Sequence, residues 1–232
     1  SEPDIAVITE IGSTHLEGLR SNQGIWDEKV KISALTTQLV YTSRRQFKTT
    51  KPFLDAYYIP QGIMLGDKLI KLQQTYHCRV SQTVASGVIA VLTLLDLEIP
   101  KVLSIESVAQ RALPKLHRNG ATWVDDSYNA SLLAYFHALE ELSRYPKKQV
   151  LVAGEMGGLG DQTAVVHQAL VRRLNNADLE HVIFYGPAMY ESWMSYLGEA
   201  TFVTDKLELS SLLHQYSGKD YVVWIKGSRH LK

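Results

Sequence analysis

Strand-like and helix-like segments alternate from about residue 121 to the end of the chain, and this order constrains the fold more than any other feature. Each short apolar run is followed by a helical spacing of apolar residues. The predicted strands are 121–124, 149–153, 181–185, 201–203 and 221–225, and the predicted helices between them are 130–144, 161–175, 187–196 and 206–215. Strands that alternate with helices specify a parallel, doubly wound α/β sheet.

The first part of the chain has a less regular pattern. The mostly apolar run at residues 5–9 is typical of a strand buried on both faces, so it is either an edge strand or the chain is the later part of a longer protein. The other predicted elements are a helix at 22–36, a strand at 38–42, short antiparallel strands within 53–72, and helices at 81–97 and 105–113. We therefore predict two domains, 1–112 and 113–232.

The composition is that of a globular protein and excludes several function classes. Lys+Arg and Asp+Glu both number 24, so the chain has no basic field that would attract nucleic acid or an anionic membrane surface. The single cysteine, Cys78, cannot form an internal disulfide and suits a reducing compartment. No signal-peptide or membrane-spanning pattern is visible. We expect a cytoplasmic protein.

Residues 123–130, WVDDSYNA, join a predicted strand to a predicted helix. Polar residues at the carboxyl end of a strand in an open α/β sheet are typical of a ligand site. Two carboxylates, a hydroxyl, a phenol and an amide follow one another here, namely Asp125, Asp126, Ser127, Tyr128 and Asn129. The simpler interpretation is a helix cap, because Ser and Asn satisfy free N–H groups at helix starts.

Two more polar segments follow predicted strands. The glycine-rich residues 154–160, GEMGGLG, lack the lysine and hydroxyl of a Walker A loop and the spacing of a dinucleotide fingerprint, which leaves a loop that lines a cleft. After the last strand come Lys226, Gly227, Ser228 and Arg229. Two cations and a hydroxyl suit a phosphate or carboxylate, although a fraying basic terminus gives the same pattern.

Near the start of the chain, His15 and Glu17 lie in a loop with flanking glycines. Together with phosphate oxygens, these side chains could hold Mg²⁺ or Mn²⁺, and the alternative is an ordinary surface loop. Lys29 lies on the following predicted helix, where a lysine by itself is typical of a solvated face.

Taken in order, several of these segments resemble motifs of the Mur ligase family, the ATP-dependent amide-forming enzymes of peptidoglycan synthesis. The matching segments are residues 3–9, 11–12, 15–18, 125–130, 154–156 and 226–229. The motifs at 125–130 and 226–229 are most similar to the branch that adds D-alanyl-D-alanine. The resemblance implies part of a central ATPase-type α/β domain followed by a Rossmann-like C-terminal domain. It also implies that ATP activates the carboxylate of a UDP-MurNAc-peptide as an acyl phosphate, which an amine then attacks.

The resemblance also implies roles for individual residues. His15 would be a catalytic residue and a ligand of Mg²⁺, and Lys29 would be the catalytic lysine that joins the metal site after carbamylation. Asp126, Tyr128 and Asn129 would bind ATP, Lys226 would be catalytic, and Ser127, Ser228 and Arg229 would bind substrate. His167 also matches a family histidine, without an assigned role.

This sequence departs from the family pattern at several points. The phosphate-binding loop and a metal-binding glutamate are expected before residue 1, so we expect this chain alone to be inactive. Ser131 replaces the proline after the central motif, and Gly157, Gly158 and Leu159 replace an acidic segment. These changes leave two alternatives open: a degenerate binding or regulatory module, and a related ligase with a different amine substrate.

Overall fold

The computed structural model describes residues 3–11, 21–43, 52–73, 79–100, 102–103 and 111–228. These residues form two compact units, the first within 3–103 and the second within 111–228. No helix among them is both long and apolar enough to cross a membrane.

The first unit is built on a five-stranded sheet in the order β1-β2-β3-β4-β5. Its strands are β1 (Ile5–Ile8), β2 (Gln38–Tyr41), β3 (Leu54–Ile59), β4 (Gly62–Leu65) and β5 (Lys68–Lys71), and its helices are α1 (Asn22–Lys29), continued by a 3-10 turn (Val30–Ala34), and α2 (Arg79–Leu94). Strands β1 to β3 are parallel, and β3 to β5 form the antiparallel meander predicted within 53–72. Among the described strands of this sheet, β1 lies at one edge.

The second unit is a six-stranded sheet in the order β10-β9-β8-β11-β7-β6. Its strands are β6 (Leu113–Leu116), β7 (Thr122–Asp126), β8 (Lys148–Gly154), β9 (His181–Tyr185), β10 (Ala200–Val203) and β11 (Tyr221–Lys226). Its helices are α3 (Leu132–Leu142), α4 (Thr163–Leu174), α5 (Tyr190–Met194) and α6 (Lys206–Leu213), with 3-10 turns at Gly160–Gln162, Pro187–Met189 and His214–Tyr216. All neighbouring strands are parallel except β6 and β7.

Both faces of this second sheet are buried, which confirms the doubly wound prediction. On β8, Leu151 and Ala153 point into a core that includes residues of α3 and α4. The alternate residues Val150 and Val152 point into the opposite core, which includes Leu213 of α6. Successive side chains of a strand point to opposite faces, so a strand covered on both faces is apolar throughout. The apolar sequence of β8 thus follows from its central position.

Some element boundaries differ from the sequence prediction. Strand β7 extends through Asp125 and Asp126, which were expected in the turn, because its ladder with β11 continues to the pair of Asp126 and Lys226. Helix α3 begins at Leu132, where the Ser131 hydroxyl caps the Ala134 amide at 3.2 Å. The predicted helix at 105–113 falls mostly outside the described residues, and its last position, Leu113, begins β6.

Candidate functional site

The carboxyl ends of β7, β11 and β8 lie side by side in the second unit, and we call this the carboxyl edge. The register places Lys226 of β11 between Asp126 of β7 and Ala153 of β8. The polar residues that follow each strand therefore become neighbours. Of the residues predicted from sequence, this arrangement brings together the central motif, the glycine-rich loop and the described part of the terminal basic segment.

Lys226 is the most buried charged residue of this edge, with 2% of its surface exposed. Its Nζ lies 2.7 Å from Asp126 Oδ2 and 3.1 Å from the Asn129 carbonyl oxygen, and both contacts are hydrogen bonds. Trp224 Nε1 donates to the same Asp126 oxygen at 3.4 Å. A buried charge is tolerated when it is paired and hydrogen-bonded. An ammonium has three N–H groups, and for Lys226 the described residues supply acceptors to two of them.

The central motif is held by its own side chains. Asp125 Oδ1 accepts hydrogen bonds from the Ser127 backbone amide at 3.2 Å and from the Ser127 hydroxyl at 2.7 Å. This local pattern is an Asx turn, which stabilises a sharp change of chain direction. The Ser127 hydroxyl hydrogen is therefore used within the protein, and the lone pairs of this hydroxyl remain as acceptors.

Tyr128 and Asn129 are the exposed members of the motif. The Arg111 guanidinium carbon lies 4.1 Å from the centroid of the Tyr128 ring, within cation–π distance. While the Asn129 carbonyl binds Lys226, its side chain lies at the surface. These two side chains are the parts of the motif that solvent reaches most readily.

Tyr135 of α3 ties the ends of two strands together, and the sequence analysis missed it. Its fully buried hydroxyl is positioned to donate to the carbonyl oxygens of Gly154, the last residue of β8, and Lys226, the last residue of β11. Burial raises the pKa of the Tyr135 phenol well above its usual value, and the charge of Asp126 adds to this effect, so the hydroxyl stays protonated. A helical spacing could have found it, because Tyr135 precedes Leu139 by one turn on the buried face.

The glycine-rich loop meets Ser228 at the same edge. Ser228 is buried, with 4% of its surface exposed, and its Oγ accepts the Gly157 amide at 2.7 Å. The glycine-rich loop and the terminal basic segment are thus in contact at this residue. Arg229, the other predicted substrate residue, lies outside the described residues.

The predicted metal site is mostly outside the described part of the chain, which excludes His15 and Glu17. Lys29 is the last residue of α1 in the first unit, and its side chain is exposed. Across the described ranges, no three His, Cys, Asp or Glu residues are grouped so that they could hold a metal ion. These residues therefore do not by themselves form a metal centre, and the roles of His15 and Lys29 stay predictions.

A family model described as "Mur ligase, glutamate ligase domain" matches residues 111–229, just over half of the chain. The chain belongs to the Mur ligase family. The resemblance found in the motifs is therefore confirmed, and the matched region contains every residue of the carboxyl edge described above.

Curated relatives match the chain along its whole length. UDP-N-acetylmuramoyl-tripeptide–D-alanyl-D-alanine ligase of Escherichia coli K12 is 23% identical over 264 residues, a match that covers 99% of this chain and 58% of the relative. The same ligase of Buchnera aphidicola subsp. Baizongia pistaciae is 27% identical and is covered to 57%. The chain thus spans somewhat more than half the length of these Mur ligases.

Several solved structures share the fold. MurF ligase from Thermotoga maritima in complex with ADP superposes with a TM-score of 0.78 at 23% identity, over 100% of this chain and 60% of that one. A bifunctional folylpolyglutamate synthase/dihydrofolate synthase from Yersinia pestis, complexed with AMPPNP and Mn ion, superposes with a TM-score of 0.66 at 16% identity, over 99% of this chain and 60% of that one. At these identities the likeness establishes the architecture.

Proposed function

We propose that this chain is part of an ATP-dependent ligase of peptidoglycan precursor synthesis, which joins D-alanyl-D-alanine or a similar amine to the carboxylate of a UDP-MurNAc-peptide. Residues 1–112 would be the later part of the central ATP-binding domain, and residues 113–232 would be the C-terminal domain. Support comes from the curated relatives, which carry this ligase name and whose alignments cover 99% to 100% of the chain at 22% to 23% identity.

The main structural support for the proposal is the buried ammonium of Lys226, which two hydrogen bonds hold in place at the carboxyl edge. Lys226 is held from two sides by Asp126 and the Asn129 carbonyl, and its third N–H has no acceptor among the residues the structure describes. A buried cation fixed in this way is preorganised to meet negative charge on a ligand, and such preorganised electrostatics are a large term in catalysis.

The donors and acceptors of this edge suit an anionic ligand in a polar rim. The free N–H of Lys226 and the Asn129 side-chain amide can donate to phosphate or carboxylate oxygens. Asp126 Oδ1 makes no hydrogen bond within the described residues and can accept from a sugar hydroxyl. By this proposal Asp126, Tyr128 and Asn129 contact ATP, Ser127, Ser228 and Arg229 contact the peptide or amine, and Lys226 is catalytic.

The proposed chemistry has two steps. The peptide carboxylate takes the terminal phosphoryl group of ATP and releases ADP, and the amine then attacks the acyl carbon and expels phosphate. Lys226 would stabilise negative charge that forms on the transferred phosphoryl group or on the tetrahedral intermediate. Catalysis of such transfers rests on positioning and on neutralisation of charge.

The proposed Mg²⁺ ligands are His15 and carbamylated Lys29. Carbamylation converts an ammonium into an anion with carboxylate-like oxygens, the ligand type that Mg²⁺ prefers. Intact-protein and peptide mass spectrometry test the modification: we expect one added carbamate on Lys29, and an unmodified lysine in active enzyme would contradict its role.

Phosphate release by the full-length gene product that contains this chain tests the proposed function. We expect release that requires both a UDP-MurNAc-peptide and an amine, with D-alanyl-D-alanine first in a panel of amino acids and dipeptides. Residues 1–232 alone should release none. Nucleotide binding without amine-dependent release from any amine would contradict the proposal and favour a degenerate binding module, whereas release with another amine would identify a related ligase.

A further inference from the structure

The glycine-rich loop after β8 directs its backbone amides into the protein. Three consecutive N–H groups have protein acceptors: Glu155 donates to the Tyr185 carbonyl at 3.1 Å, Met156 to His167 Nε2 at 2.9 Å, and Gly157 to Ser228 Oγ at 2.7 Å. A loop that cradles phosphate presents successive N–H groups to the ligand. In this loop the three N–H groups are instead used in hydrogen bonds within the protein, which hold the loop in place.

His167 accepts the middle of these three hydrogen bonds, and the partners of its two ring nitrogens determine its tautomer. It lies on α4 with 1% of its surface exposed, and its Nδ1 is 2.9 Å from the Thr163 carbonyl oxygen one turn earlier. The Met156 amide can only donate, so Nε2 must be free of hydrogen, and Nδ1 carries the hydrogen that it donates to Thr163. Burial lowers the pKa of His167, while the Thr163 carbonyl and the Glu155 charge oppose this, and the neutral form is favoured.

Ser228 is joined to the same loop by two hydrogen bonds. Its backbone amide donates to the Glu155 carbonyl at 3.1 Å, and its Oγ accepts from the Gly157 amide. A hydroxyl that accepts in this way keeps its own hydrogen for another partner. For Ser228 no acceptor of that hydrogen exists among the residues described.

The other side of the loop is fixed by a carboxylate. Glu155 Oε2 accepts the Ala188 backbone amide at 2.9 Å, at the 3-10 turn that follows β9. The loop is thus attached to β9 and its following turn through Glu155, to α4 through His167 and to the segment after β11 through Ser228. His167 is the attachment that comes from the buried face of a helix.

We propose that His167 is a positioning residue, which holds Met156 so that the Gly157 amide occupies Ser228 Oγ and leaves the Ser228 hydroxyl hydrogen for an acceptor oxygen of the ligand. The proposal rests on the proposed function in one respect, that Ser228 contacts substrate. If the acceptor at position 167 is lost, the Met156 amide is left without a partner in a buried place, the loop shifts, and Gly157 no longer restrains Ser228. The ligand oxygen would be a carboxylate or phosphoryl oxygen.

The tautomer of His167 tests the geometry without any variant. A long-range ¹H–¹⁵N spectrum of the ¹⁵N-labelled full chain should show His167 as the neutral form with hydrogen on Nδ1. A hydrogen on Nε2 is incompatible with acceptance of the Met156 amide and would overturn the proposal.

Amide hydrogen exchange tests whether the effect reaches Ser228. In His167→Leu, exchange at both Met156 and Gly157 should accelerate about tenfold, the size expected for one lost buried hydrogen bond. His167→Gln keeps an acceptor near the position of Nε2 and should restore slow exchange. His181→Leu is the matched control, because His181 is a half-buried histidine of β9 bonded to Thr201 Oγ1 instead of the loop.

Two exchange results would contradict the proposal. Acceleration at Met156 with none at Gly157 would confine His167 to a local role, and equal acceleration in His181→Leu would show general loosening of the sheet. Neither readout needs substrate, so both stand if the wild-type full-length protein proves to lack ligase activity. If it is active, His167→Leu should raise the KM of the substrate held by Ser228 more than it lowers kcat, with rescue by His167→Gln, and an unchanged KM would overturn the proposal.

Discussion

The two ends of the second sheet carry the same kind of ion pair in opposite surroundings. At the carboxyl edge Lys226 and Asp126 lie 2.7 Å apart, with 2% and 19% of their side chains exposed. At the amino end of β8, Lys148 and Glu180 lie 2.6 Å apart, with 52% and 40% exposed. The distances are nearly equal, so distance does not separate the pairs. Exposure does, because water screens a surface pair and leaves it with little effect on stability.

The comparison shows where the fold removes charge from water. The amino end has charges of both signs at the surface, with the exposed side chains of Asp178, Lys219 and Asp220 around a groove. At the carboxyl edge, in contrast, Lys226 is buried and its ammonium is hydrogen-bonded to Asp126 and to the Asn129 carbonyl. Burial of a charge costs desolvation free energy, which fixed partners offset. The buried charge lies at the edge where we propose that a ligand binds.

The largest expected effect comes from removal of the buried partner. Asp126→Ala leaves the Lys226 ammonium buried without its counter-ion, and the free energy of unfolding of the second unit should fall by about 3 to 5 kcal/mol. Urea denaturation of the full chain, followed by hydrogen exchange in β7 and β11, measures it. Glu180→Ala is the matched control at the amino end. Equal losses of stability in both variants would contradict the expected difference between the two ends of the sheet.

A smaller loss is expected from the hydroxyl that joins the strand ends. Tyr135→Phe removes a buried donor shared by two carbonyl oxygens, and the second unit should lose about 1 to 3 kcal/mol of stability. Tyr190→Phe, at a side chain that is half exposed on α5, should leave stability unchanged. A Tyr135→Phe variant as stable as wild type would show that these carbonyls do not depend on the phenol.

The third effect is a dependence on pH at the carboxyl edge. Burial lowers the pKa of His167 in the folded state below its ordinary 6.5. The unfolded chain therefore binds the proton first, so the contribution of His167 to stability is complete above pH 6.5 and decreases as the pH falls below it. Urea denaturation across this range should show a steeper loss in wild type than in His167→Gln. Identical slopes in the two proteins would contradict the assignment.

The smallest effect is expected at the amino end. The hydrogen bond and charge of Glu180 raise the pKa of Lys148, but both side chains are in water. Lys148→Ala should therefore leave the unfolding transition unchanged within experimental error, at low and at high salt. A clear loss of stability that salt abolishes would show that this surface pair contributes after all.

The alternation of strands and helices was enough to predict the second sheet, since periodicity is a local property of the sequence. Its strand order is not local. The last strand, β11, lies between β7 and β8, and this insertion is what places Lys226 beside Asp126 and brings Tyr135 to both strand ends. The contacts that Lys226 makes with Tyr135 and Asp126 join residues about 90 to 100 positions apart, so no short motif could reveal them.

Residue roles show the same limit. The motif resemblance identified Asp126, Asn129 and Lys226 as members of a site, and the structure brings them together. It could not predict that Lys226 would be buried and Ser127 occupied by Asp125, because burial depends on the strand register and on neighbours such as Trp224. The sequence indicated which residues belong to the proposed site, whereas the fold shows which of their hydrogen-bonding groups are already used within the protein.

Amine-dependent phosphate release by paired variants of the full-length protein tests the central claim most directly. Lys226→Met removes the cation of the carboxyl edge, whereas Lys148→Met removes a lysine from the opposite end of the same sheet. The account predicts that release falls by at least about a hundredfold in Lys226→Met, the scale of one lost electrostatic donor, and stays at the wild-type rate in Lys148→Met. Equal rates in the two variants would contradict the placement of the site at the carboxyl edge.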